Sequence, residues 1–166
     1  MATEVTHDLK VDYLEATGVT SKKIVVNVTD ALTLTAADSG KLFVFNDVDG
    51  AVITLPDSGA GDIIGTTYSF LLGVTATSNA HKVICADTDN EIIHGIAINS
   101  DTDTGDAAVN FAAIAGDGFD FVSCNGSTTG IQGSHWTLTN FAADKWLISN
   151  SQFLSTGDPA TPFGST

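Results

Sequence analysis

The sequence predicts an all-β chain: a single antiparallel β-sandwich or barrel-like domain of about ten short strands. An extended N-terminal arm is expected before it and a loose C-terminal tail after it. Three observations carry this reading. Short apolar or alternating runs recur every 8–14 residues or so, and turn-forming residues separate nearly all of them. Hydrophobic residues make up 43% of the chain and charged residues only 16%, which leaves a polar remainder rich in Thr, Ser, Asn and Gly. Of the 20 acidic residues, 17 are Asp and three are Glu. Asp favours turns and caps where Glu favours helix interiors, so the skew argues against helix.

The elements follow in order. Residues 1–23 are polar, weakly patterned and read as the arm. The domain proper spans 24–154. It begins with the apolar run 24–28 and the alternating run 32–35, and a tight turn at 36–40 leads into the apolar strand 41–46. Asp47-Val48-Asp49-Gly50 turns the chain into 51–55, which Pro56 terminates. Strands are predicted at 67–72, 81–85 and 92–98, then at 107–112 and 119–124, and finally at 135–139 and 145–149. Residues 107–115 carry enough alanine for a helical turn or two. The Gly/Pro/Ser/Thr-rich stretch 155–166 reads as the tail. No collagen-like, coiled-coil or repeat pattern is expected.

Charge limits the partners. The net charge is −14, from six Lys, no Arg and 20 acids. Phosphate recognition relies on Arg forks and on many cationic contacts, so binding to nucleic acid or to an anionic membrane surface is not expected. The N-terminus shows no basic-then-apolar leader, and no apolar run approaches the roughly 20 residues of a membrane span. Synthesis in the cytoplasm follows as an expectation. Cys85 and Cys124 each sit in an apolar strand-like run and read as buried free thiols.

Catalytic patterns are sparse, and no enzyme activity and no cofactor are expected. His7, His81, His94 and His135 lack metal-ligand spacing, and neither a nucleophile elbow nor a P-loop occurs. The Asp pairs 47/49, 87/89 and 117/120 fall at turns rather than across a cleft. Asp101, Asp103 and Asp106 surround Gly105 in a weak resemblance to half a calcium loop. That Gly is one position early, and Ala112 stands where a bidentate Glu belongs. A solvated acidic turn is the preferred reading there.

Several phrases together resemble small bacteriophage virion structural proteins of the head decoration (cement) type. They are Leu34-Thr35-Ala36-Ala37-Asp38-Ser39-Gly40-Lys41, the following Phe-Val-Phe-Asn strand, Val52-Ile53-Thr54-Leu55-Pro56, and Gly65-Thr66-Thr67-Tyr68-Ser69-Phe70. Ile92-Ile93-His94-Gly95, Gly116-Asp117-Gly118-Phe119 and Asp144-Lys145-Trp146-Leu147 continue the match, which covers about 32–150. The resemblance implies a symmetric, trimeric β-rich protein that binds the major capsid protein on the outer surface of the head. The arm would make the capsid contact, with Val5, Leu9, Val11, Tyr13 and Leu14 as its apolar residues. The alternative is a receptor- or glycan-binding module of a tail fibre or other appendage. There Trp136 and Trp146 would serve as ligand or subunit anchors.

Overall fold

A computed structural model describes residues 22–103 and 108–166, so the arm residues 1–21 and the loop 104–107 lie outside the described residues. Among the described residues twelve strands form two mixed sheets, joined by loops and one short 3-10 turn at Ala36–Asp38. The first six strands alternate between the sheets. β1 (Val25–Val28), β3 (Leu42–Phe45) and β5 (Thr67–Leu72) lie side by side in the larger sheet, and β2 (Leu32–Thr33), β4 (Val52–Thr54) and β6 (His81–Ile84) lie side by side in the smaller. Every one of these pairings is parallel. The chain therefore coils three times around a shared core, each turn contributing one strand to each sheet. Parallel neighbours need a crossover, and here the opposite sheet supplies it in place of a helix.

The second half closes this coil. β7 (Ile92–Asp101) and β8 (Ala108–Ala113) form an antiparallel pair, as do β10 (His135–Ala142) and β11 (Lys145–Ser155). β10 pairs antiparallel with β5, and β11 pairs parallel with β7, which gives the seven-stranded order β1-β3-β5-β10-β11-β7-β8. In the five-stranded sheet, β9 (Phe121–Cys124) pairs antiparallel with β6, and β12 (Phe163–Gly164) pairs antiparallel with β9. The third turn of the coil is thus covered on both sheets. Among the described residues the first turn, β1 and β2, forms the outer edge of each.

Four expectations change. The sheets are mixed rather than antiparallel, because period-two alternation reports which face is buried and not which neighbour pairs. The strand expected at 107–112 is β8, which pairs residue by residue with β7 and turns Ala113 to the core, so the helical turn its alanines allow does not form among the described residues. The late strands β7 and β11 run longer than predicted. A bulge in β11 between Ile148 and Gln152, with Asn150 at φ 47°, restores inward alternation so that Phe153 reaches the core. The tail is docked rather than loose. Phe163 is buried and stacks on Phe119 at 5.8 Å, Asn99 Nδ2 donates to the Ala160 carbonyl at 3.1 Å, and the Thr166 N–H donates to Asp120 at 3.0 Å.

The inward faces of both sheets share one hydrophobic core. Trp136 is central to it, stacked against Phe70 at 5.4 Å, Phe153 at 5.3 Å and Phe45 at 6.3 Å. Phe45 in turn meets His81 of the opposite sheet at 4.9 Å. Each fully buried aromatic contributes about 1.5–3 kcal/mol of hydrophobic stabilisation.

Candidate functional site

The sequence-selected residues scatter. Val5, Leu9, Val11, Tyr13 and Leu14 lie outside the described residues. The described chain starts beside the edge strand β1, where Lys23 Nζ donates to Ser69 Oγ at 2.7 Å and Ile24 and Val25 are each 62% exposed. Trp136 and Trp146 are core residues, 1% and 0% exposed, so neither can stack on an external sugar or anchor a neighbouring subunit. Both fall on inward positions of their strands, which adjacency to apolar residues could not decide. Asp101 ends β7 and its Oδ1 accepts the Asp103 N–H at 3.1 Å, an ordinary Asp turn, while Asp106 lies outside the described residues. Among the described residues no group of three His, Cys, Asp or Glu is arranged to hold a metal ion.

Cys85 and Cys124 are buried and free. They sit at opposite ends of the β6–β9 pair: Cys124 is opposite His81, and the Cys85 N–H donates to the Asp120 carbonyl. Burial pushes both thiols well above the ordinary thiol range, which leaves them poor nucleophiles. His81 is fully buried, its Nδ1 accepting the Ala51 N–H at 3.3 Å, and burial lowers its pKa, so the ring is neutral. His94 packs edge-on to Phe141 at 5.6 Å. No helix among the described residues is long and apolar enough to cross a membrane.

Sequence reasoning missed Glu91. Its carboxylate is completely buried and gathers four donors: the Ser58 N–H at 2.7 Å, the Ser58 hydroxyl, the Asp87 N–H at 2.9 Å and Trp146 Nε1 at 3.4 Å. It ties the β4–β5 loop, the β6–β7 loop and β11 together. One signal pointed to it: Glu91 is the only Glu beyond the arm in a chain that otherwise uses Asp.

The distribution of charge gives the clearest surface feature. Every described Asp and Glu lies in a loop, a turn or the 3-10 segment except Asp101, the last residue of β7. Asp101 pairs with the buried Ser155 and so belongs to the inward register. Among the described residues, the strands of the seven-stranded sheet therefore present no carboxylate on their outward face. Its centre is a hydroxyl row whose members bond one another, Thr67 with Thr139 at 2.9 Å and Ser69 with Thr137 at 3.4 Å. Around it stand Val25, Ile96, Ile98, Phe141 and Leu147, all between 40% and 62% exposed. At the Asn150 bulge this face opens into a groove of about 640 Å³ with Ile96 and Ile98 on one side and Asn110, Asn150 and Gln152 among its polar residues.

The outward face of the five-stranded sheet is smaller and differently finished. Lys82 Nζ lies 3.9 Å over the Phe121 ring, and Val52 is its one exposed large aliphatic side chain.

No protein-family model, curated protein or solved structure matches this chain.

Proposed function

We propose that this protein is a bacteriophage capsid decoration (cement) protein. It binds the major capsid protein on the outer surface of the head and strengthens contacts between capsomers, as a structural subunit rather than an enzyme. The reading rests on a run of phrases, from Leu34 to Lys41 and from Val52 to Pro56, that resembles those of small virion structural proteins. Those phrases sit at the turns and core strands of the coil.

Physical features support it. A shell subunit must be rigid and must expose broad surfaces, and the two mixed sheets with one core provide both. The acidic loops keep unattached copies apart and soluble. They also disfavour contact with packaged DNA, which suits the outer side of a capsid. Among the described residues β1 is the outer strand of the seven-stranded sheet, and an unpaired strand edge is a surface to which an extended segment can add. Many weak attachments of this kind become strong on a multivalent lattice.

The glycan-binding alternative rested on Trp136 and Trp146, and the burial of both removes that support.

Cosedimentation with purified, undecorated heads tests the proposal. Saturable binding at a fixed copy number per capsid is expected, with loss of binding on deleting residues 1–20. A full-length protein that never pellets with expanded heads would overturn the reading, and a truncated protein that still binds would overturn the role of the arm.

A further inference from the structure

We propose that the groove at the Asn150 bulge is a binding track for an uncharged, extended glycan chain. It crosses the strands of the seven-stranded sheet on the outward face and involves neither tryptophan.

Strand register builds the track. Ile98 of β7 stands beside Asn110 of β8 and Gln152 of β11; Gln152 stands beside His135 of β10, and His135 beside Leu71 of β5. Five strands thus place one outward residue each in a single file, at about 4.8 Å per step. That step is close to the length one pyranose unit adds to an extended β-linked chain. The file lies along two adjoining hollows. The groove of about 640 Å³ is lined by Ile98, Asn110 and Gln152, a second hollow of about 290 Å³ by Leu71, and His135 lines both. The larger is of the size that holds small ligands. The bulge adds Asn150, in the left-handed region at φ 47°, to its lining as a further amide.

Chemistry selects the occupant. Asn110, Asn150 and Gln152 make no side-chain hydrogen bond among the described residues, so three amides are free, each able to donate and accept at once. His135 Nδ1 lies 3.2 Å from the Gly133 carbonyl oxygen. That oxygen can only accept, so the ring hydrogen sits on Nδ1 and Nε2 is left for a ligand. Free amides beside aliphatic side chains match a sugar, whose neighbouring hydroxyls both donate and accept and whose ring faces are C–H. Other ligand classes fit worse. The lining of the larger groove contains no Lys, Asp or Glu, so a charged ligand meets no counter-charge there. Lys23, which lines the second hollow, is already bonded to Ser69. A peptide gains by pairing with an open strand edge, and β7, β11, β10 and β5 are each paired on both sides. A wholly apolar ligand would leave the amides without partners.

The inference does not rest on the capsid reading, because the free protein is the binder. The test is calorimetric titration of the full-length chain with cellohexaose, chitohexaose and β-linked mannohexaose, and with the disaccharide of each. Saturable binding to at least one hexamer is expected, insensitive to salt and on the order of tenfold tighter than to its disaccharide, since a longer chain engages more of the file. Gln152→Ala and Asn110→Ala should each weaken it roughly tenfold by removing a hydrogen-bonding amide. Val52→Asp, on the other sheet, should leave it unchanged. Thermal unfolding of each variant checks that these exposed substitutions leave the fold intact. Absence of binding to all three hexamers at millimolar concentration would overturn the inference. So would binding that ignores chain length, or folded Gln152→Ala and Asn110→Ala variants that bind like wild type.

Discussion

The two halves of the molecule are made of similar residues and obey different pairing rules. From β1 to β6 each strand pairs in parallel with the strand two places earlier in the chain, and consecutive strands lie in opposite sheets. From β7 onward, β7–β8 and β10–β11 are antiparallel pairs of consecutive strands, and β10 and β9 close antiparallel onto β5 and β6. The consequence is an asymmetric coil. One end is capped by the chain's own second half. At the other end, β1 and β2 have no further strand beside them among the described residues. Terminal turns of a coil need a cap, and an open edge invites strand addition. The difference between the halves thus locates the end at which an incoming strand can be received.

Glu91 joins the halves, and removing it should have the largest effect. Glu91→Ala would leave the Ser58, Asp87 and Trp146 donors unsatisfied in the interior, at a cost of about 3 kcal/mol or more. Urea unfolding would show it as a lower midpoint. A broadened or two-step transition would mean that this carboxylate also makes the halves unfold as one unit.

Two glycines then sharpen the contrast. Gly50, at φ 89°, turns β3 into β4, and a Cβ there would lie 2.4 Å from the Asn79 carbonyl oxygen in the next turn of the coil. Gly95, at φ 121°, lets β7 approach β11, where a Cβ would lie 2.7 Å from the Ile148 carbonyl oxygen. In each case the obstructing atom is backbone and φ is unfavourable for alanine, so Gly50→Ala and Gly95→Ala should each cost about 2 kcal/mol. Amide hydrogen exchange separates them. Gly50→Ala should lower protection first in β3 to β6, and Gly95→Ala first in β7 and β11. Identical protection losses throughout would show a single cooperative unit and break the division into halves.

The smallest effect is a pH dependence confined to the coiled half. Burial holds His81 below the usual imidazole value of 6.5, so the unfolded chain takes up a proton more readily than the folded one. Stability from this group is complete above 6.5 and declines as pH falls below it toward the lowered folded value. The slope cannot exceed about 1.4 kcal/mol per pH unit. Comparing urea midpoints of wild type and His81→Leu from neutral pH to about pH 5 isolates it, because every other group is common to both proteins. Parallel pH profiles would mean that folding leaves the proton affinity of His81 unchanged.

Much of the fold was legible as strands. The runs at 41–46, 67–72, 81–85 and 119–124 each contain an observed strand, because Gly, Asp and Asn mark turns by local backbone chemistry. The coil was harder to see, although Leu32-Thr33-Leu34 followed by Asp38-Ser39-Gly40 is echoed by Ile53-Thr54-Leu55 and Asp57-Ser58-Gly59. That echo places equivalent residues on successive turns, yet its two copies differ in spacing and span less than one sheet's width. The docked tail was misread because Gly, Pro and Thr look alike whether free or held. Phe163, buried at 5% exposure, was the one residue that signalled a place in the core.

Of the candidate site residues, the two tryptophans show the limit most plainly. Sequence placed them on strands, but which side of a strand faces the core depends on the register with β5 and β7, a relation between distant segments.

The sequence by itself determined that the chain is β-rich, that its acids sit in turns, and that its surface is strongly anionic, since each follows from residue type and local conformation. Only the tertiary structure decided that the first six strands coil in parallel, that Trp136 and Trp146 face inward, and that Glu91 is buried at the joint between the halves. Only it brought the outward faces of seven strands, free of carboxylates among the described residues, into one surface. Pairing and burial are properties of segments far apart in the chain, and no local preference encodes which of them will meet.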